Sequence, residues 1–332
     1  MTGKKNIAFV TGGYSGEAVI SYKSAITIEN NLDNEKYNIY KIDITPQGWW
    51  YVGPDGRKSA VDRTDFSINL GEHIRFDAVF IGIHGTPGED GKLQGYFDLL
   101  NIPYTSCDAA TSALTFNKRY TVAVAAFAGI NVARSLHLFR HSPVGKEQVL
   151  SSLQLPVFVK PNNGGSSIGM SKVTEPGELA AALQKAFKED DQVLVEEFIA
   201  GREFTIGVFR SGGEIITLPF TEVKTHKEFF DFEAKYTPGM SEEITPAVVD
   251  ESIAENVRAT AKKVYAVFNC RGIVRMDFIY NEEKAAPYLL EINTVPGQSE
   301  ASIVPQQVRA MGWSLKEFYS RLIDACFEPT TI

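Results

Sequence analysis

Four polar residues near the C-terminal end stand at strand spacing: Arg275 and Asp277 in GIVRMDFIY, Glu291 and Asn293 in PYLLEIN. Alternate side chains of a strand point to opposite faces, so each pair shares one face. Met276, Phe278, Leu290 and Ile292 supply the apolar faces behind them. If the two strands pair, two carboxylates, an amide oxygen and a guanidinium gather on one surface. Hard oxygen donors of this kind suit Mg²⁺, which keeps waters and substrate phosphates in its remaining positions. A salt-bridged, solvated sheet face would use the same residues.

A second group of residues bears on that choice. In LPVFVKPNNGGSSIGMSKV an apolar strand delivers Lys160, and a Gly/Ser loop carrying Ser166 and Ser167 follows before another strand pattern resumes. Glycines and serines let backbone N–H groups approach phosphate oxygens. GxxxxGK[ST] is absent and a strand follows rather than a helix, so this is not a Walker loop; a plain surface hairpin is the alternative. Further on, QVLVEEFIAGREFTIGVF ends an apolar strand on Glu196 and Glu197, then runs through Phe198 and Ile199 to Glu203. Two acids at a strand end could simply be a solvated edge.

Taken together, the lysine-bearing strand, the Gly/Ser flap, the acidic hinge and the late Asp…Glu-x-Asn set resemble the ATP-grasp fold. Four more segments sharpen the resemblance: GGYSGEAVIS at 12–21, HGTPGEDGKLQG at 84–95, FFDFEAKY at 229–236 and EINTVPGQSEASIVP at 291–305. In that order, over nearly the whole chain, they are similar to the D-alanine–D-alanine ligase family. The resemblance implies that two D-alanines are joined through a D-alanyl phosphate, with ATP hydrolysed to ADP and phosphate, in peptidoglycan precursor synthesis.

The resemblance also assigns roles. Lys118 and Lys160 would contact phosphates, as would Ser166 and Ser167 of the flap; Glu196, Glu197, Phe198 and Ile199 would take the adenine and Glu203 the ribose. Asp277, Glu291 and Asn293 would hold two Mg²⁺ ions, with Mn²⁺ as a substitute and Glu291 as the bridge. Arg275 and the Gly297 N–H would stabilise charge at the attacked carbonyl. Glu17 would meet the first D-alanine's ammonium group, and Ser302 and Ile303, opening a helix, the second D-alanine's carboxylate. Read alone, Glu17 is an acid at a helix start and Ser302 an N-cap. His84 is given a positioning role, with Glu89 and Asp90 beside it. The segment with Phe229, Phe230, Phe232, Lys235 and Tyr236 resembles a lid, in which Lys235 reaches phosphate and Tyr236 forms a triad with Glu17 and Ser166; a lid excludes water from a hydrolysable intermediate. Two positions depart from the usual pattern: Asn117 stands where Asp is common, and Glu197 where Lys is frequent.

The elements that must position these groups follow from the periodicities. Strand and helix signals alternate over the first third, at 7–10, 18–32, 37–42, 77–83 and 93–100, which reads as a parallel α/β unit interrupted by a hairpin at the Gly53-Pro54-Asp55-Gly56 turn. A second unit runs from the helix at 118–129 to the strand at 192–198. It includes a helix with Thr174 as candidate N-cap and Pro176 in its first turn. A third contains strands at 204–209, 215–218, 272–280 and 287–292 and a long helix bearing Val257, Ala261 and Val264. The expected architecture is α/β: an ATP-grasp fold of α+β lobes (109–199 and 200–332) behind an N-terminal parallel α/β domain (1–108).

Composition narrows the partners. Net charge is −8, from 41 acidic against 33 basic residues, which argues against a general nucleic-acid or anionic-membrane surface. No stretch reaches membrane-spanning length, and the start runs directly into a strand, so the expected location is cytoplasmic. Cys107, Cys270 and Cys326 read as reduced thiols rather than a disulfide framework. The resemblance implies a homodimer. A dinucleotide-binding unit fails on spacing, because a GxGxxG motif begun at Gly12 would require glycine where Tyr14 and Glu17 stand. A nucleotide-binding regulator without catalysis is opposed by retention of the Arg275, Asp277, Glu291 and Asn293 set. A relative that uses D-lactate or D-serine as acceptor is the remaining alternative.

Overall fold

The computed structural model describes residues 3–141, 146–165, 167–225 and 241–328. The first segment runs β1 (Lys5–Gly12), α1 (Ala18–Asn31), β2 (Tyr37–Thr45), β3 (Gly48–Val52), β4 (Lys58–Ala60), the short pair β5 (Ile68–Asn69) and β6 (His73–Ile74), β7 (Ala78–Ile81) and α2 (Lys92–Leu99). Its sheet has the order β4-β3-β2-β1-β7. β1 pairs in parallel with both β2 and β7, as the alternating signals require. The hairpin at the Gly53-Pro54-Asp55-Gly56 turn does more than interrupt this unit: β3 and β4 extend the sheet antiparallel, so the sheet is mixed.

Next come α3 (Ala109–Phe116), α4 (Lys118–Phe127), β8 (Ser135–Phe139), α5 (Lys146–Ser152), β9 (Val157–Pro161), β10 (Ser171–Val173), α6 (Leu179–Glu189) and β11 (Gln192–Glu197). The strands form a sheet of order β10-β9-β11-β8. Its core is its own: Leu179, Ala182 and Ala186 of α6 pack with Val157, Val159, Val193 and Val195 of the sheet. Full burial of a Leu or Val side chain stabilises by about 1.5–3 kcal/mol. The helix begins later than its sequence suggests. Glu178, not Thr174, is the N-cap, and its carboxylate accepts the N–H groups of Thr174 (2.8 Å) and Glu175 (3.1 Å), leaving Pro176 in the turn before the helix.

The last segment holds β12 (Arg202–Ser211), β13 (Glu214–Thr217), β14 (Thr221–Thr225), β15 (Ser241–Ile244), α7 (Glu251–Val267), β16 (Val274–Asn281), β17 (Ala286–Asn293), α8 (Ile303–Ala310) and α9 (Leu315–Ala325). The sheet order is β15-β14-β12-β16-β17, with β13 also on β12. α7 buries Val257, Ala261 and Val264 against one face. A further core joins Ile7, Phe9 and Phe80 of the first sheet to Phe209, Val308, Phe318 and Tyr319, which fixes the first sheet against α8 and α9. Among the described residues no helix is long and apolar enough to cross a membrane.

Candidate active site

β16 and β17 pair in the register the periodicity requires, with Arg275 opposite Asn293 and Asp277 opposite Glu291. The Arg275 guanidinium donates to both oxygens of Asp277 at 3.1 and 2.9 Å, and its Nη2 lies 3.6 Å from Glu291 Oε1. Burial works against the Arg275 charge, but the carboxylates of Asp277 and Glu291 overcome it and raise its pKa. The Thr205 hydroxyl donates to Asp277 at 2.9 Å. The Asn293 amide stands 3.4 Å from Asp277 and 3.5 Å from Glu291. An amide flip exchanges its nitrogen for its oxygen. Two carboxylates and one amide oxygen on adjoining strands make a hard donor set that fits Mg²⁺ with open positions left for phosphate and water. Among the described residues no group of three or more His, Cys, Asp or Glu forms a metal cage.

Between the second and third sheets lies a cavity of about 770 Å³ lined by Lys118, Lys160, Glu196, Phe198, Ile199 and Glu203. Lys160 pairs with Glu196 where both side chains are nearly buried. Lys118 donates from Nζ to Gly164 O at 2.6 Å. The flap base holds the other end of the same helix turn, since Asn162 accepts the N–H of Lys118 at 3.0 Å on its carbonyl and that of Arg119 at 2.9 Å on its side chain. Asn117 caps α4 by accepting the Tyr120 N–H at 3.1 Å, which is the role the usual Asp would play. Glu197 turns its carboxylate to the Gln154 N–H (3.1 Å) and to Arg134 (3.4 Å). Phe158, Met170, Ile279 and Leu290 line this cavity as well, giving it apolar surface suited to a flat ring. Sequence reading missed Arg202, which binds buried Glu222 through two bonds of 2.7 and 2.9 Å, and Lys224, 3.7 Å from the same carboxylate.

A second cavity of about 350 Å³ opens beside it, lined by Glu17, His84, Arg275, Gly297, Ser302 and Ile303 among others. Glu17 is held between two glycines. A Cβ on Gly85 would lie 2.3 Å from Glu17 Oε2, and one on Gly165 2.6 Å from Oε1, so the carboxyl fits only because both positions lack side chains. Burial raises the Glu17 pKa, Lys118 opposes the rise and Glu291 adds to it. His84 is buried, 2.9 Å from the Ser24 hydroxyl and 2.8 Å from Val295 O. Glu89 accepts the N–H groups of Gly85 (2.7 Å) and Val295 (3.3 Å), and burial followed by the Glu17 charge pushes its pKa up to about 8. Asp90 instead serves its own turn, bonded to Thr86 and Lys92. Ser302 occupies the N-cap position of α8 without capping it, because its hydroxyl meets Ser299 at 2.7 Å. Glu243, also missed by sequence reading, faces this cavity from β15. Ser166, Lys235 and Tyr236, with Phe229, Phe230 and Phe232, lie outside the described residues.

The two cavities meet at a neck. Glu17, Lys118, Gly164, Gly165, Glu203, Asp277 and Glu291 line both. A phosphoryl donor in the larger space and a small amino acid in the smaller one would therefore face each other beside the metal-suited carboxylates.

Comparison with known proteins agrees with this geometry. Residues 6–107 match the family model described as D-ala D-ala ligase N-terminus, and residues 118–324 the one described as D-ala D-ala ligase C-terminus. A D-alanine–D-alanine ligase of Phocaeicola vulgatus is 44% identical over 325 residues, covering 98% of this chain and 100% of that one. One from Azobacteroides pseudotrichonymphae is 43% identical over 97% of this chain and 99% of its own. Among solved structures, the VanG D-Ala:D-Ser ligase of Enterococcus faecalis superposes with TM-score 0.87 at 31% identity, covering 98% of this chain and 100% of that one. The Bacillus anthracis D-alanine–D-alanine ligase complexed with ATP gives 0.78 at 25% identity, with 97% of each chain covered.

Proposed function

This chain belongs to the D-alanine–D-alanine ligase family, and from that premise we propose that it joins two D-alanines into D-alanyl-D-alanine, with ATP converted to ADP and phosphate, for peptidoglycan precursor synthesis in the cytoplasm. The observation that carries the reading is the neck between the cavities, where residues of the first sheet's unit, the flap and the metal-suited strands converge on one point. The chain is read as three units, 1–108, 109–199 and 200–332, which supply these three contributions in turn.

ATP takes the larger cavity, with adenine at 196–199, ribose at Glu203 and phosphates toward Lys118, Lys160 and the flap. Asp277, Glu291 and Asn293 would hold two magnesium ions, which supply Lewis-acid stabilisation of phosphoryl charge when bound. Glu17 receives the first D-alanine's ammonium and aims its carboxylate at the γ-phosphorus. Attack there forms the D-alanyl phosphate and releases ADP. Ser302 and Ile303 seat the second D-alanine's carboxylate at the start of α8. Its amine, once deprotonated, attacks the acyl carbonyl; Arg275 and the Gly297 N–H stabilise the oxyanion, and phosphate leaves. Ser166, Lys235 and Tyr236 complete the flap and lid, with Tyr236 favouring D-alanine over D-lactate as acceptor.

Incubation with ATP, Mg²⁺ and carboxyl-¹⁸O D-alanine tests the route. D-alanyl-D-alanine should be the main product against a panel of D-amino and D-hydroxy acids. One labelled oxygen should appear in the released phosphate, and unlabelled phosphate would sink the acyl-phosphate step.

A further inference from the structure

Strand β12 changes partner along one edge. It pairs with β14 at Glu203–Thr205 and with β13 from Val208 onward. At the changeover, backbone groups of β12 are met by a side chain rather than a strand. Gln307 of α8 has no exposed surface, and its amide uses every polar group it has: Gly207 N–H donates to Oε1 at 2.9 Å, while Nε2 donates to Thr205 O at 2.8 Å and to Thr221 Oγ1 at 3.1 Å. Room for it comes from Gly207, where a Cβ would lie 2.9 Å from Gln307 Oε1 and 2.8 Å from Leu218 Cδ1. A buried amide with all its partners in place fixes one packing and tolerates little displacement.

What Gln307 joins matters more than how well it is joined. It sits one helical turn beyond Ile303, at whose end of α8 the smaller cavity lies. The strand it grips carries Thr205, whose hydroxyl holds Asp277. Its neighbour Gln306 binds Glu243 of β15 at 2.7 Å, and Thr221 meets Thr245 at 2.6 Å, so the paired strands β14 and β15 are tied to the same helix. We propose that Gln307 is a positioning residue for the acceptor: by clamping α8 to β12 it sets where the acceptor carboxylate rests relative to the reacting centre. It touches no substrate itself. The inference rests on the reaction proposed above and adds a residue to it.

A plug that merely stabilised the core would weaken both half-reactions equally, whereas a clamp that positions the acceptor acts mainly on the second. Two variants perturb the clamp from opposite sides. Gln307→Leu removes the hydrogen bonds at similar volume; Gly207→Ala keeps every polar group and pushes a methyl against Gln307. For each, dipeptide synthesis is followed against acceptor D-alanine. Activation is followed separately as D-alanine hydroxamate formed with hydroxylamine, a nucleophile that needs no carboxylate seat. We expect the acceptor KM to rise roughly tenfold while hydroxamate formation changes by less than about twofold. Equal loss of both products, or loss of neither, would overturn the proposal. If Gln307→Leu fails to fold, Gly207→Ala alone decides by the same split. A parent protein that forms neither product would instead overturn the reaction, and this inference with it.

Discussion

His84 links the first sheet's unit to the turn that carries Gly297, and its protonation state can be worked out from its partners. Val295 O can only accept, so Nδ1, 2.8 Å away, carries the proton, and Nε2 accepts from the Ser24 hydroxyl at 2.9 Å. Ser24 in turn accepts the Gln298 N–H at 3.1 Å, so the imidazole holds both sides of Gly297. Burial is the main influence and depresses the pKa to about 4; the bond to Val295 opposes it and Arg275 adds to it. An unfolded chain takes up this proton near pH 6.5 and the folded chain only near 4, so stability falls as pH drops through that interval. From pH 7 to pH 5 the loss from this one group is about 2 kcal/mol. His84→Gln removes the titration, so the parent should lose about 2 kcal/mol more than the variant over that range, read by urea unfolding at the two pH values. The variant should also lower turnover more than it raises the KM for ATP, because the turn it loosens faces the acyl centre. Identical pH dependence in the two proteins, or nitrogen NMR that places the proton on Nε2, would refute the assignment.

Two other substitutions test the neck. Glu291→Gln is nearly isosteric and should leave the fold intact while lowering metal affinity at least roughly tenfold; wild-type turnover at limiting Mg²⁺ would remove Glu291 from the ligand set. Gly165→Ala would place a methyl 2.6 Å from Glu17 Oε1 and should raise the KM of the first D-alanine roughly 5- to 100-fold with a smaller effect on ATP. An unchanged KM would show that Glu17 does not hold that ammonium from its glycine cradle.

The metal-suited face was legible in the sequence because β16 and β17 are consecutive and joined by a short turn, so period two and local pairing suffice to bring Asp277 and Glu291 opposite each other. The hinge and the lysine strand were legible for a similar reason: β9 and β11 present Lys160 and Glu196 at strand ends whose apolar faces mark them. Glu17 was different. Its seat is made by Gly85 and Gly165, which are remote in the chain, and a glycine's missing side chain leaves no periodic signal. The same holds for Arg202 and Glu222, whose pairing depends on the β12–β14 register with β13 intervening in the chain. The two departures from the usual pattern became intelligible only in three dimensions, Asn117 as a working N-cap and Glu197 as a partner of Arg134. Sequence spacing likewise kept Cys107 and Cys270 apart, yet both are free thiols buried in one core.

The charge at the neck gives a physical reason for the order of its parts. Among the described residues, four carboxyl groups, Glu17, Glu203, Asp277 and Glu291, line both cavities there, as does one lysine, Lys118. Lys160 is paired with Glu196, and Arg275 with Asp277, so neither cation faces the neck uncompensated. A polyphosphate and an amino-acid carboxylate are both anions, and two unit charges at 4 Å repel by about 4 kcal/mol where the effective dielectric constant is near 20. Cations at the neck would relieve that repulsion, which is what hard oxygen donors on Asp277, Glu291 and Asn293 are suited to arrange. The sign of the Glu291→Gln effect follows. With one acid neutralised, ADP without metal should bind at least as well as to the parent, because repulsion has been removed. Turnover with Mg²⁺ should nevertheless fall, because a metal ligand has been lost with it. Calorimetric titration of ADP with and without Mg²⁺ separates the two effects. Weaker metal-free binding to the variant would mean that Glu291 contributes to nucleotide affinity by some route other than charge.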